Sequence, residues 1–127
     1  MALRVDITSD DRWFRGEDKR LQFVIYADAS RAEVADASGF ALSWKLASAL
    51  GGTALVTKTT GSGISVSGTF NADPALNTQV VEVAVDDTDT DGLTTGTLWH
   101  ELKRTDAGLE AVLAHGRATI LAPVHLT

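Results

Sequence analysis

Apolar and polar residues alternate along most of this chain, the period of a half-buried strand rather than of a helix. Leu3, Val5 and Ile7 alternate with Arg4, Asp6 and Thr8. In residues 21–26, Leu21, Phe23 and Ile25 take one side and Val24 and Tyr26 the other, the two-sided apolar character of an interior strand. Phe40, Leu42, Trp44 and Leu46 recur at every second position between Ala41, Ser43 and Lys45. That spacing predicts a strand with one buried face and Trp44 as a core anchor, because a ring of that size supplies much of a small domain's burial. Residues 53–60 are rich in β-branched side chains, 64–66 read as a short strand, and Val80, Val81, Val83 and Val85 with Gln79 and Glu82 form another. Gly51-Gly52, Gly61-Ser62-Gly63, the 69–78 stretch with Asn71, Asp73 and Pro74, and the acidic 86–92 loop punctuate these segments. Residues 28–38 are Ala-rich and carry the Ser30-x-x-Glu33 spacing of a capping box, so they read either as helical turns or as a loop crossing between sheets. Seven to eight short strands between turn signals predict an all-β fold, an antiparallel β-sandwich making one domain over residues 1–127.

Residues 96–121 hold the best-defined local object, two apolar-rich segments around the turn Asp106-Ala107-Gly108. A three-residue loop closed by Gly108 sets Arg104 opposite Glu110, Leu102 opposite Val112, His100 opposite Ala114 and Leu98 opposite Gly116. Ala118 and Ile120 extend that mostly apolar face. The other face then carries Thr97, Trp99, Glu101 and Lys103 against Arg117, His115, Leu113 and Ala111. A slip of one residue would exchange the faces, so the register decides which side chains are free. Trp99 and Leu113 framed by Glu101, His115 and Arg117 have the make-up of an interface hot spot with a polar rim, and these five are the candidate interface residues. The competing reading packs Trp99 beneath the chain's own N-terminal segment.

Composition narrows the chemistry. A chain of 127 residues suffices to bury roughly two thirds of its unfolded surface without staples. The net charge of −6 argues against nucleic acid or an anionic membrane as partner. The absence of cysteine excludes disulfides and thiolate metal sites and fits a reducing compartment. No signal-peptide core or membrane-length apolar run occurs. Asp87-Thr88-Asp89-Thr90-Asp91-Gly92 opens like a calcium loop, but Leu98 stands where the bidentate Glu belongs. It therefore reads as a solvated acidic loop, with Asp87, Asp89 and Asp91 a weak calcium candidate and no metal assigned. His100, His115 and His125 lack metal-ligand spacing. No nucleophile elbow, phosphate-cradling loop or paired catalytic motif is present, so the chain reads as non-enzymatic and free of cofactors.

The order of turn motifs resembles small tailed-bacteriophage virion domains related to upper-baseplate and tail or head fibre modules. Arg15-Gly16-Glu17-Asp18 before the 21–26 strand, Asp36-Ala37-Ser38-Gly39 before the 40–46 strand, and Gly96-Thr97, Arg104-Thr105-Asp106-Ala107-Gly108 and 110–116 carry the likeness over residues 13–121. Leu98 departs from the aromatic usual there, and the Asp-rich loop replaces a Leu-Pro-x-Gly approach. The resemblance implies an immunoglobulin-like sandwich with a structural role in the capsid, neck, tail or baseplate. It further implies contacts with other virion proteins, homo-oligomers in a particle assembled in the host cytoplasm, and no catalysis. A carbohydrate-binding module is the alternative of a different class, with Trp99 beside Glu101 as its platform.

Overall fold

The alternating segments become strands in the computed structural model, which describes residues 3–123. They are β1 (Leu3–Arg4), β2 (Lys19–Phe23), β3 (Leu42–Ala47), β4 (Ala54–Thr60), β5 (Gly63–Ser67), β6 (Val80–Val85), β7 (Gly96–Arg104) and β8 (Ala111–Ile120). Hydrogen bonds link them into one sheet in the order β1-β8-β7-β3-β4-β5-β6-β2. Burial follows the alternation: Leu42, Trp44 and Leu46 of β3, Val81, Val83 and Val85 of β6, and Leu98, His100 and Leu102 of β7 all point inward. The sheet curls so that strands far apart in this order share one core. Phe23 on β2 lies with its ring centroid 6.2 Å from that of His100 on β7.

The antiparallel expectation needs correction, because the sheet is mixed. β1 runs parallel to β8, with Leu3 opposite Ala114 and Arg4 opposite His115, and the pairing continues through Ile7 opposite Ala118. β4 and β5 also pair in parallel over two residues at the corner where the sheet folds over. β4 and β5, linked only by Gly61 and Ser62, touch in parallel just where the chain turns. An extended parallel pair needs a long crossover, and nearly the whole chain separates β1 from β8. β2 ends the sheet instead of lying inside it. Its extension is apolar on both sides because the 28–38 loop covers it: Ala35 N–H donates to Ile25 O at 2.8 Å and Tyr26 bridges Val34. That loop contains no helix.

The hairpin register also differs from the sequence reading. Leu98 faces Ala118, His100 faces Gly116 and Leu102 faces Ala114, two residues further along β8 than expected. A bulge after Leu102 then gives Lys103 opposite Val112 and Arg104 opposite Ala111. The cause lies at the tip. Asp106 accepts hydrogen bonds from Arg104 Nε at 2.8 Å and from Ala41 N–H at 2.9 Å, while Thr105 N–H donates to Ala41 O at 2.8 Å. These bonds hold residues 105–106 against the start of β3 and leave 105–110 as the loop, turned by Gly108 at φ 78°. Arg104 therefore pairs with Asp106 rather than Glu110, and its guanidinium lies 3.7 Å from the centre of the Phe40 ring. The bulge turns Leu113 into the core and Val112 outward, the reverse of the expected faces.

Gly116 is required by close approach. A Cβ on Gly116 would stand 2.1 Å from the Val5 carbonyl oxygen and 2.7 Å from an Asp6 carboxylate oxygen. Gly116→Ala should therefore push the N-terminal segment off β8. Hydrogen exchange at the Val5 and Ile7 amides, which donate to His115 and Arg117 carbonyls at 2.8 Å, should rise toward the unprotected rate. Retained protection there would contradict the assigned packing.

Candidate interaction surface

Alternation leaves the outer face of β1, β8, β7 and β3 with two side-chain rows. In the first, Arg4, His115, Glu101 and Lys45 stand directly opposite one another across four strands. The carboxylate of Glu101 is thus flanked by an imidazole and an ammonium, an arrangement cross-strand pairing favours. In the second row Trp99 sits between Arg117 and Ala47. The Arg117 guanidinium carbon lies 5.0 Å from the Trp99 ring centre, within cation–π range. The turn after β3, bent at Gly51 with φ 71°, raises Leu50 beside these rows with 75% of its surface exposed. Together they enclose a depression of about 650 Å³ with Trp99, Glu101 and His115 in its floor.

Four of the five predicted interface residues share this face: Trp99 and His115 half-buried, Glu101 and Arg117 exposed. Leu113 does not; it lies in the core beneath the bulge. Arg4, Lys45, Leu50 and Val112 join the depression without having been singled out from sequence. Lys45 was legible as the polar side of its strand, but nothing local showed that β3 would lie beside β7.

Beneath the floor, His100 ties the outer strands to the core. Trp44 Nε1–H donates to His100 Nδ1 at 3.2 Å, which makes Nε2 the protonated nitrogen, and it meets the Val5 carbonyl oxygen at 2.6 Å. Burial holds the His100 pKa below the ordinary value, against the opposing hydrogen bond to Val5. His115 points to the opposite side of the sheet, and His125 lies outside the described residues.

The acidic stretch is built differently from the expected loop. Asp87–Thr90 forms one helical turn, α1, whose start is fastened by the Asp89 carboxylate accepting the Asp86 N–H at 2.7 Å. At 100° per residue a helical turn sends Asp89 away from Asp87 and Asp91. Asp89 instead meets Lys58 Nζ at 2.8 Å. Among the described residues no group of three His, Asp or Glu side chains is arranged to hold a metal ion. The side chain of Thr90 is buried and accepts the Gly16 N–H at 2.9 Å, while Arg15 Nη1 donates to Leu93 O at 3.0 Å. The Arg15-Gly16-Glu17-Asp18 segment thus serves to seat α1.

No family model and no curated protein matches the sequence. Among solved structures, the chain is similar to the NK cell receptor Nkp44, described as a triggering partner in natural cytotoxicity. The likeness has 12% identity and a TM-score of 0.38 over 96% of each chain.

Proposed function

We propose that the chain is a non-enzymatic, immunoglobulin-like sandwich that makes assembly contacts in a phage or prophage particle, with the Trp99 face as its contact surface. The sandwich reading is supported by strand grouping. Divided at the β4–β5 corner, the sheet yields β8-β7-β3-β4, with β1 on its outer edge, and β5-β6-β2. These correspond to the G-F-C-C′ and D-E-B groupings of a variable-type domain. Trp44 takes the position of the buried strand-C tryptophan. Phe23 and His100, on the strands equivalent to B and F, make the ring contact where antibody domains place a disulfide, in a chain without cysteine. The virion assignment is supported by the turn motifs of residues 13–121.

The observation that carries the contact role is the half-buried Trp99 in a depression walled by exposed Leu50 and rimmed by charge. An indole in such a setting is the usual anchor of a protein interface. A sugar platform would want a bare aromatic face, whereas Arg117 already lies over this ring. Trp99→Glu tests the reading. The variant should remain folded, with an unchanged β-type circular dichroism spectrum, and fail to enter particles. Normal incorporation would overturn the proposal, and a hit on a glycan array abolished by the same substitution would favour the carbohydrate alternative.

A further inference from the structure

The outer face is basic on an acidic protein. Arg4, Lys45, Lys103 and Arg117 stand there against Asp6 and Glu101, although the chain carries a net charge of −6. The balancing carboxylates gather elsewhere. Asp10, Asp11 and Asp18 precede β2, Asp86, Asp87 and Asp91 surround α1, and all six are exposed. Asp87 N–H donates to the Asp18 carboxylate at 2.8 Å and Lys19 Nζ donates to Asp11 O at 3.1 Å, which joins the two segments into one acidic corner. Arg12 and Lys19 offset only part of its charge.

We infer that the Trp99 groove receives the acidic corner of a second copy of this chain, so that copies join head to tail. The inference rests on the Trp99 face being a protein contact surface. Charge complementarity selects the occupant: Lys45 and Arg117 stand around Trp99, outweighing Glu101 since Arg4 is paired with Asp6, and the same chain presents exposed carboxylates on and beside a helical turn. The two surfaces share no residue. The contact is therefore heterologous, leaving each copy one free groove and one free corner, and it propagates into a ring or a filament. Attraction between such faces is screened by salt and acts chiefly on encounter and register.

Sedimentation velocity on the purified chain, over a concentration series at ~20 mM and ~500 mM salt, tests this. Self-association should appear at low salt and weaken by about tenfold or more at high salt. Lys45→Glu with Arg117→Glu destroys the groove's charge, and Asp87→Lys with Asp91→Lys destroys the corner's. Each double variant alone should be monomeric. Mixed in equal amounts, they should form a one-to-one pair and stop there, because the groove variant keeps a sound corner and the corner variant a sound groove. If either double variant loses its β-type spectrum, the Lys45→Ala with Arg117→Ala and Asp87→Asn with Asp91→Asn pairs replace them, with the same pattern expected. A wild-type chain that stays monomeric at low salt overturns the inference, as does a mixture that does not pair. Self-association that survives the corner variant but not the groove variant overturns it too, since the groove would then meet itself. Loss of particle assembly by Trp99→Glu in a chain that never self-associates would leave the contact surface standing and assign it to a different protein.

Discussion

Trp44→Ala should lower the stability of the domain by about 3–5 kcal/mol, the cost of truncating a large core aromatic. The indole is wholly buried on β3, between β4 and β7, and is among the largest fully buried side chains of the described residues. Its loss removes contacts and leaves a cavity in the shared core. It also withdraws the donor from His100 Nδ1, whose 3.2 Å bond is buried. A buried acceptor left without a partner costs a further ~1–3 kcal/mol unless water enters. Small domains total about 5–15 kcal/mol, so the variant should be barely folded. Urea denaturation measures the effect. Trp44→Phe separates its parts, because it retains most of the apolar volume but not the hydrogen bond, and its loss should be about 1–3 kcal/mol. An unchanged midpoint for Trp44→Ala would mean that this face of β3 is not the core.

The second large effect should be a loss of stability as the solution is acidified from neutrality. His100 titrates in the folded state below its ordinary value of 6.5, chiefly because burial disfavours the cation. A proton added to Nδ1 would also confront the Trp44 N–H that Nδ1 now accepts. Between the folded pKa and 6.5 the unfolded chain binds the proton and the folded chain does not, so stability rises with pH there. The contribution is fully present above 6.5, is lost as pH falls toward the folded pKa, and changes no further below it. The slope inside that window approaches about 1.4 kcal/mol per pH unit for one proton. Asp6 nearby favours the cation and His115 opposes it, so both tune the window without creating it. Asp6, Asp28, Asp36, Asp89 and Asp106 have pKa values held below 3.8 and act separately, in more acidic solution. Urea midpoints measured between about pH 7 and pH 5 should fall for the parent chain and for His115→Gln, and stay level for His100→Gln. A level parent profile, or an equal fall in His100→Gln, would remove His100 from this role.

How much of this was legible in the sequence follows from how locally each feature is determined. Leu42, Trp44 and Leu46, and the valines of β6, announce their buried face by spacing alone, and the structure buries them. Sheet order is not local. The parallel β1–β8 pair joins residues over a hundred positions apart, and no turn signal marks it. The hairpin register failed for the same reason, since the bond from Ala41 to Asp106 acts across 65 positions. The far half of β8 shifted by two residues, which keeps every side chain on its face, so Trp99, Glu101, His115 and Arg117 lie on the expected side of the sheet with changed partners. At the bulge the shift is odd, and Leu113 and Val112 exchanged sides. Arg4, Lys45 and Leu50 reach the depression from strands and turns whose neighbours only the fold reveals. The helical turn at Asp87 did carry a local sign, an Asp at position 86 with another three residues later, but the stretch read as a solvated acidic loop with a weak calcium candidate.

The pairing of β1 with β8 sets a schedule for biogenesis. On the ribosome, β1 is made before any other strand of the sheet, and its partner is made after all of them. At about 5–20 residues per second the wait is on the order of 10 s. Until β7 is made the Val5 carbonyl has no His100 to meet, and until β8 follows the Val5 and Ile7 amides have no acceptor there. The sheet therefore cannot be completed while the chain is still being translated through β7. A nascent domain in this condition offers the unclaimed edge of β1 to any other strand within reach, a hazard that ends only when β8 emerges and folds in beside it.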